Sequence, residues 1–391
     1  MFAGFTRARK AALLGLALAS TLLMAACDVG GVGPGGPSID TSKPVPVALL
    51  VPRGSPQPGD SVLAQSLENA ARMAIGDLQN VQIDLRVYDT AGNAATAAQV
   101  AAQAVSDGAR IILGPVYAES ANAVGNVAAG RNVNVLSFSN NASIAGGHVF
   151  ILGPTFNNTA ARLAGFAAAQ GKRSIVVVHS NDVAGIAGRD AIQTAMNRTG
   201  ARVSGTVAYD QSQQSVIAAI PRIKDAVSSN AADAIFMTAN TAGALPLLSQ
   251  LLPEAGVSPA TTQYIGLTRW DIPPQTLALP GVQGGWFALP DPGKATQFNS
   301  RYQAAYGAPP HPIGGLAYDG IAAIGALVGS GNPDALTGAA LTQAAGFQGV
   351  GGIFRLLPDG TNQRGLAIAT IQNRQVVVID PAPASFSGAG L

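Results

Sequence analysis

The sequence predicts an α/β protein with two doubly wound parallel sheets in succession, one in each of two lobes. Short, almost continuously apolar segments alternate with longer segments whose apolar residues recur every three or four positions. Strands that are apolar on both faces are buried between helices, which is typical of parallel sheets. The chain has 391 residues, more than one hydrophobic core usually serves, so we expect two lobes.

The N-terminus predicts export from the cytoplasm. Arg7, Arg9 and Lys10 precede an apolar run from Ala11 to Ala26 that ends in small residues, which is the pattern of a signal peptide over residues 1–26. The run is shorter than the ~20 apolar residues that cross a bilayer as a helix. We therefore expect cleavage of this segment and no permanent transmembrane anchor.

Cleavage is expected just before the only cysteine of the chain. Leu23-Met24-Ala25-Ala26-Cys27 resembles a bacterial lipobox, in which Cys27 becomes the diacylated N-terminus. Acyl chains would hold the protein on a membrane, and Asp28 favours the inner membrane by the sorting rule of enteric bacteria. The sequence leaves inner and outer membrane open. Residues 27–44 are rich in Gly and Pro and predict a flexible tether.

Lobe one is expected to comprise residues 45–154 together with 290–329. Its first helix, Asp60–Leu78, carries Leu63 and Leu67 on one apolar face, and its first residue is expected to cap it. The remaining elements of the first half alternate as in a doubly wound sheet. The predicted strands are Val45–Val51, Val81–Tyr88, Arg110–Leu113, Val133–Phe138 and Val149–Leu152, and the further helices are Asn93–Ser106 and Ser120–Ala129.

Lobe two is expected to comprise residues 155–289 together with 330–380. The same alternation predicts strands Ser174–Val178, Arg202–Ala208, Ala234–Thr238, Gln263–Leu267 and Gly284–Leu289, with helices Asn157–Gln170, Gly188–Thr199, Gln214–Val227 and Ala242–Leu252. Two later helices, Ala295–Tyr306 and Gly315–Val328, resemble those of lobe one. Wound sheets bind ligands at the carboxyl ends of their strands, so a crevice is expected where the lobes face each other.

The C-terminal part departs from this alternation. Gly352–Leu356 and Leu366–Ile371, with Pro358-Asp359-Gly360 between them, predict a β-hairpin, and Gln375–Ile379 predicts a further strand. Residues 381–391 are mostly Ala, Ser, Gly and Pro with few large apolar side chains, which predicts a disordered tail.

Composition and motifs argue against catalysis and against nucleic acid as a partner. Charged residues make up 11% of the chain and the net charge is +2, so no basic stripe is expected. His148, His179 and His311 lack metal-ligand spacing, and neither a nucleophile elbow nor a phosphate-binding loop occurs. We expect no enzyme, no metal and no cofactor. His179 ends an apolar strand at the predicted crevice, so it is either a residue that lines the cleft or, as we expect, a buried, hydrogen-bonded side chain.

Several segments resemble one known family. Ile111–Val116, Val133–Ser137, Ala317–Asp319 and Phe347–Gly352, with Pro358-Asp359-Gly360, resemble the leucine/isoleucine/valine-binding proteins, which are type I periplasmic binding proteins. The resemblance covers about residues 45–380. It implies two lobes joined by three crossovers, which would fall near Pro154, Pro290 and Gly329, and a hinge that lets the lobes close over a ligand.

The resemblance also implies where a ligand would lie, and this chain differs there. The hydroxyl residue that binds the ligand carboxylate falls on Ala118, the ring-bearing residue on Ala184, and the acidic partner of the ligand ammonium near Thr268. An unpaired buried ammonium costs several kcal/mol, so simple leucine binding is not expected. The expected cleft residues are Ser55, Tyr117, Glu119, Ser120, Ser139, Asn140, Asn141, Asn240, Thr268 and Arg269.

Aromatic side chains near predicted strand ends are further candidates for the cleft. Tyr117, Trp270 and Trp286 stand there, as a ligand platform or, for Trp286, as core. Asp319, near the start of a predicted helix, is expected to cap that helix.

A retained fold with an altered amino acid site, in a lipid-anchored periplasmic chain, resembles the penicillin-binding-protein activators. That resemblance implies a non-enzymatic protein that docks on a peptidoglycan synthase. The alternative is the substrate-binding component of an ABC transporter, with a permease as partner and a small polar solute or amino acid as ligand.

Overall fold

The structure, a computed structural model, describes residues 35–387, so the predicted signal peptide and Cys27 lie outside the described residues. These residues form one five-stranded, one seven-stranded and one three-stranded sheet. Among the described helices, none is both long and apolar enough to cross a membrane. The predicted fold class, two wound parallel sheets in separate lobes, is confirmed.

Lobe one is built on a parallel sheet whose strands run in the order β2-β1-β3-β4-β5. The strands are β1 (Val45–Val51), β2 (Ile83–Asp89), β3 (Ile111–Leu113), β4 (Asn134–Ser137) and β5 (Val149–Ile151), and the helices between them are α1 (Asp60–Asp77), α2 (Ala94–Ser106) and α3 (Ala118–Ala129). Alternate residues of β1 pack on opposite faces of the sheet. Val47 and Leu49 pack with α1, whereas Ala48 and Leu50 pack with α2 and α3. This burial on both faces explains why the strand is uniformly apolar.

Lobe two repeats the arrangement with its own core. Its helices are α4 (Phe156–Ala169), α5 (Val183–Asn197), α6 (Gln213–Ser229) and α7 (Leu245–Glu254), and its parallel strands are β6 (Ser174–Ser180), β7 (Arg202–Tyr209), β8 (Ala234–Met237), β9 (Gln263–Gly266) and β10 (Trp286–Leu289). Val176 and Val178 face α6 and α7, whereas Ile175 and Val177 face α4 and α5. The two lobes therefore pack separately.

The chain then returns to lobe one. The elements of this return are α8 (Pro292–Tyr306), α9 (Gly315–Val328), α10 (Gly338–Leu341), β11 (Phe347–Gly349), β12 (Gly352–Leu356) and β13 (Asn362–Arg364). Phe298 of α8 and Ile321 of α9 lie in the lobe-one core, as do Phe347 and Phe354. The last two strands, β14 (Ala367–Gln372) and β15 (Gln375–Asp380), join the lobe-two sheet: β14 pairs antiparallel with β10, and β15 pairs antiparallel with β14.

The third crossover lies elsewhere than near Gly329. The chain leaves lobe one between β13 and β14, because Phe347, Phe354 and Leu356 insert into the lobe-one core. Residues 330–364 thus belong to lobe one, and the expected assignment of 330–380 to lobe two holds only for its last part. For the same reason the predicted hairpin between Gly352–Leu356 and Leu366–Ile371 is wrong. β12 pairs with β11 and β13, whereas β14 pairs with β10 and β15.

The first and last described residues make contacts that the sequence did not indicate. The Asn134 side chain donates hydrogen bonds to the carbonyl oxygens of Gly35 and Leu336, each at 2.8 Å, and Ile39 is buried in the lobe-one core. At the other end, the Arg355 guanidinium lies 4.6 Å from the centre of the Phe386 ring. A flexible tether was predicted over 27–44 and a disordered tail over 381–391; in the described residues, Gly35 and Ile39 contact lobe one and Phe386 contacts Arg355.

Two expected helix caps have other roles. Gly59, at φ 91°, is the N-cap of α1, and Asp60 lies inside the first turn without capping it. Asp319 is the fifth residue of α9, where its carboxylate is buried against Arg364. Each carboxylate was expected to bond to free amides of its own helix, but each bonds to a side chain from another element.

Candidate functional site

At the carboxyl edge of the lobe-one sheet, residues that follow three neighbouring strands, β1, β2 and β3, come together. We call them the lobe-one cluster: Ser55, Asp60, Gly92 and Tyr117. A Cβ built on Gly92, at φ 65°, would lie 2.8 Å from the Ser55 Oγ and 3.4 Å from the Tyr117 ring. The absence of a side chain at Gly92 therefore lets Ser55 and Tyr117 approach each other, as expected for two cleft residues.

Tyr117 is fixed by a buried carboxylate. Its hydroxyl donates a hydrogen bond of 2.6 Å to Asp60 Oδ1, and burial, together with that bond, raises the pKa of Tyr117 to about 12. The other oxygen, Asp60 Oδ2, is buried and has no hydrogen-bond partner within the described part of the chain. His311 lies near this carboxylate, but burial lowers the pKa of its imidazole against the influence of Asp60.

The other lobe-one candidates differ in exposure. Ser139 is buried, and its Oγ accepts a hydrogen bond from the Asn141 amide at 3.1 Å, while Asn141 Oδ1 caps a short 3₁₀ turn. Asn140 and Glu119 are exposed. Ser120 is only 1% exposed, so it lies on the buried side of the first turn of α3 and not on the surface.

Lobe two has a cavity of about 60 Å³ at the carboxyl ends of its strands, here called the lobe-two cavity. A water molecule takes up about 30 Å³, so the cavity has room for one functional group of a ligand. Asn240 and Thr268 line it as expected, whereas Arg269 does not. The lining residues are Phe156, Ser180, Asp182, Ala184, Gly185, Tyr209, Gln211, Thr238, Ala239, Asn240, Gly243, Ala244 and Thr268.

Asp182 gives the lobe-two cavity a negative charge. Its Oδ1 accepts hydrogen bonds from the Gly185 amide at 2.6 Å and the Ser180 hydroxyl at 3.1 Å, and its Oδ2 accepts one from Gln211. These bonds, of which the one from the Gly185 amide has the largest effect, lower the pKa of the Asp182 carboxyl. The carboxylate therefore stays ionised at neutral pH.

Two further polar side chains line the cavity. Burial raises the pKa of Tyr209 to about 12, and the charge of Asp182 acts in the same direction. Thr238 is 9% exposed, and its Oγ1 has no hydrogen-bond partner among the described residues. Buried hydroxyls are normally bonded, so the missing partner makes Thr238 a candidate contact for a ligand in the cavity.

The sequence analysis missed Asp182, Tyr209, Gln211 and Thr238. Each stands at or directly after the end of a strand, which is the same signal that selected Ser139 and Asn240. The family resemblance implied an acidic residue after β9, where this chain has Thr268. The structure supplies a carboxylate to the same cavity from the end of β6 instead, because parallel strands end at one edge of the sheet.

The remaining candidates are structural. The Arg269 Nε donates to Asp271 at 2.9 Å, and Trp270 is fully buried in the lobe-two core. Trp286 packs edge-on against Phe166, with ring centres 4.9 Å apart. These aromatic side chains pack between elements and do not line the lobe-two cavity.

No group of three or more His, Cys, Asp or Glu side chains suited to hold a metal occurs among residues 35–387. His179 is buried, with its Nδ1 at 2.9 Å from the Ser180 carbonyl oxygen, in the role expected for it.

The crossovers converge on the segment from β11 to β13, which we call the hinge segment. Arg364 donates through its Nε to the Leu152 carbonyl at 3.0 Å and through Nη1 to Asp319 at 3.0 Å. The Asn362 amide donates to the Ile151 and Gly153 carbonyls at 2.7 and 2.8 Å. These contacts join the first and third crossovers.

The second crossover is bound to the same segment. The Asp291 amide donates to the Gly351 carbonyl at 2.9 Å, and the Lys294 ammonium lies 2.5 Å from the Gln348 side-chain oxygen. The three crossovers between the lobes are therefore joined to one another by hydrogen bonds through the hinge segment.

Solved structures of the same fold include transport proteins of several bacteria. A branched-chain amino acid ABC transporter periplasmic ligand-binding protein from Burkholderia xenovorans aligns at a TM-score of 0.68 and 17% identity, over 88% of this chain and 97% of that one. An ABC transporter substrate-binding protein from Desulfitobacterium hafniense in complex with Leu aligns at 0.62 and 18%, over 86% and 100%. A solute-binding protein from R. palustris in complex with benzoate aligns at 0.56 and 16%, over 89% and 99%.

These identities show the fold alone. A search of the curated proteins found no match. The family model described as periplasmic binding protein, however, matches residues 44–375, which spans both lobes and the hinge segment. The chain therefore belongs to the periplasmic binding protein family, with the fold of the leucine/isoleucine/valine-binding proteins.

Proposed function

We propose that the chain is the substrate-binding component of an ABC transporter for a small polar solute. The observation that carries the proposal is the lobe-two cavity, whose unpartnered Thr238 hydroxyl and ionised Asp182 stand at the strand ends where wound sheets bind ligands. The hinge segment allows the lobes to close over such a ligand by rotation about three short crossovers.

The similar structures support this receptor reading over a penicillin-binding-protein activator. The proteins from Burkholderia xenovorans, Desulfitobacterium hafniense and R. palustris are transport or solute-binding proteins. The lobe-two cavity also contains a carboxylate, and the expected loss of such a group had favoured a pure docking role. A screen of amino acids, peptides and other polar solutes by calorimetry tests the proposal, with X-ray scattering to detect closure. Binding of muropeptides alone, together with capture of a peptidoglycan synthase, would favour the activator.

Thr238→Val tests whether the unpartnered hydroxyl awaits a ligand. The substitution keeps the shape and removes a buried polar atom that lacks a partner, so the free energy of unfolding is expected to stay equal or rise. Affinity for the solute found in the screen is expected to fall roughly three- to tenfold, which is the worth of one hydrogen bond.

Thr199→Val is the matched control, because the Thr199 hydroxyl already donates to the Met196 carbonyl at 2.8 Å. This variant is expected to lose stability and to keep its affinity. If Thr238→Val lowered stability without changing affinity, the hydroxyl would have no part in binding.

We further propose that the protein is anchored to a membrane of the periplasm through Cys27. The family is periplasmic, and the lipobox supports the anchor. Cys27→Ser is expected to move the chain from the membrane fraction to the soluble fraction, or to leave it unprocessed, as immunoblots of fractionated cells would show. An unchanged distribution and processing of the variant would contradict the anchor.

A further inference from the structure

Negative charge dominates the strand ends where the ligand is expected. From each strand end to the first turn of the next helix, outside the crossovers, the parallel sheets carry six carboxylates and two guanidinium groups. The carboxylates are Asp60, Asp89, Glu119, Asp182, Asp210 and Asp271, and the guanidinium groups are Arg53 and Arg269.

Neither arginine is available to a ligand anion. Arg53 binds Glu68 at 2.7 Å and Asp89 at 3.2 Å. Arg269 binds Asp271 through its Nε at 2.9 Å. Each guanidinium is thus already neutralised by carboxylates of its own lobe.

The excess negative charge reaches both faces of the expected binding cleft. In lobe two, Asp182 lines the cavity and stays ionised, and its neighbours Tyr209, Thr238 and Asn240 are neutral. In lobe one, the Asp60 carboxylate stands at the strand ends beneath the surface, and its buried Oδ2 has no hydrogen-bond partner within the described residues. A carboxylate entering this space would meet like charges on both sides.

One feature of lobe one favours an anion, but a neighbouring charge offsets it. The first amides of α3 have no side-chain cap, and free amides at a helix N-terminus attract negative charge. Glu119, in the first turn of the same helix, already supplies that charge.

Accordingly, we infer that the solute is an organic cation, an amine without a carboxylate, whose ammonium group enters the lobe-two cavity and pairs with Asp182. The inference rests on the proposed function, because it names the ligand class of the same site. A zwitterionic amino acid fits less well, since its carboxylate finds no free guanidinium at the strand ends. The acidic strand ends would also attract a cation from a distance.

The test compares ligands with the same apolar group that carry an ammonium group, a carboxylate or both. Isoamylamine, leucine and 4-methylpentanoate share one carbon chain, and phenethylamine, phenylalanine and 3-phenylpropanoate share another; putrescine, agmatine and choline extend the set of cations. Affinities are measured by calorimetry on the full chain. We expect an amine to bind at least about tenfold more tightly than the zwitterion and the acid of its series, and less tightly as salt is added.

Asp182→Asn identifies the pairing group, because asparagine keeps the helix cap and removes the charge. The variant is expected to lose about tenfold or more in amine affinity. Asp190→Asn, on the same helix but with an exposed carboxylate, is expected to bind the amine as the parent chain does. Equal losses in both variants, or none in Asp182→Asn, would contradict pairing at Asp182.

The outcomes separate this inference from the proposed function. Tighter binding of leucine, phenylalanine or the two acids than of any amine would overturn the cation inference and leave the receptor role intact. Binding of neutral sugars or amides alone would do the same. If no solute in either screen binds or closes the lobes, the proposed function is wrong and the inference falls with it.

Discussion

Arg364→Ala is expected to lower the free energy of unfolding by about 3–5 kcal/mol, because it leaves a buried carboxylate without its partner. The Asp319 side chain is 2% exposed and the Arg364 side chain 10%. Burial raises the pKa of the Asp319 carboxyl, and the guanidinium charge and the Val350 amide oppose that rise. Without Arg364, the hydrogen bond from the Val350 amide and the charge of Lys294 would remain to stabilise the buried carboxylate.

The substitution also removes a crosslink of the hinge. Arg364 donates to the Leu152 carbonyl at the first crossover while it binds Asp319 of α9. Losing it would leave a carbonyl oxygen of the crossover without this donor. We therefore expect a destabilised chain with a looser hinge, measured by urea unfolding and by hydrogen exchange of the crossover amides.

Two control variants show whether burial is the cause. Arg301→Ala breaks a pair between exposed side chains, Arg301 and Asp77, and is expected to cost less than about 1 kcal/mol. Replacing both buried partners, Asp319→Leu with Arg364→Met, is expected to recover much of the loss, because no unpaired charge remains. Equal costs for Arg364→Ala and Arg301→Ala would refute the buried-charge explanation.

Gly360→Ala is expected to destabilise the protein by about 3 kcal/mol or more, because the new methyl group has no room. Gly360 lies at φ 80° in the turn between β12 and β13, and a Cβ there would lie 2.3 Å from the Gly146 nitrogen and 2.4 Å from the Val149 oxygen. Its carbonyl also accepts a hydrogen bond of 2.8 Å from the Ile151 amide. The turn therefore holds β5 by backbone contacts that cannot move aside easily.

Gly331→Ala is the control for backbone strain. Gly331 has nearly the same φ, 74°, but a Cβ there would meet nothing within 4 Å. This variant is expected to lose only the cost of a left-handed alanine, about 1 kcal/mol. Thermal and urea unfolding of both variants give the comparison. If the two alanines cost the same, close packing at Gly360 contributes nothing.

Much of the fold follows from local patterns in the sequence. The alternation of uniformly apolar strands with amphipathic helices predicted two wound sheets, and the strand ends marked Ser55, Tyr117, Asn240 and Thr268 as site residues. These features follow from the sequence because a period of apolar residues depends on neighbours along the chain. The structure brings Ser55 close to Tyr117, and Asn240 and Thr268 to one cavity.

The course of the chain after Gly329 follows from packing. Phe347, Phe354 and Leu356 are apolar enough for either core, and only their insertion into lobe one places the third crossover between β13 and β14. The position of Gly35 likewise depends on a distant residue, because the Asn134 side chain donates a hydrogen bond to the Gly35 carbonyl. A polar segment that is free and one that is bound to a lobe look alike in sequence, because a hydrogen bond to a distant partner leaves no local pattern.

By itself, the sequence determined two wound lobes, a family resemblance and the edge of each sheet where ligands bind. Only the tertiary structure decided that Asp182, and not a residue after β9, supplies the carboxylate of the lobe-two cavity. It also decided that Arg53 and Arg269 are already paired. The reason is that the charge available to a ligand depends on which side chains meet across strands, and that meeting is set by packing.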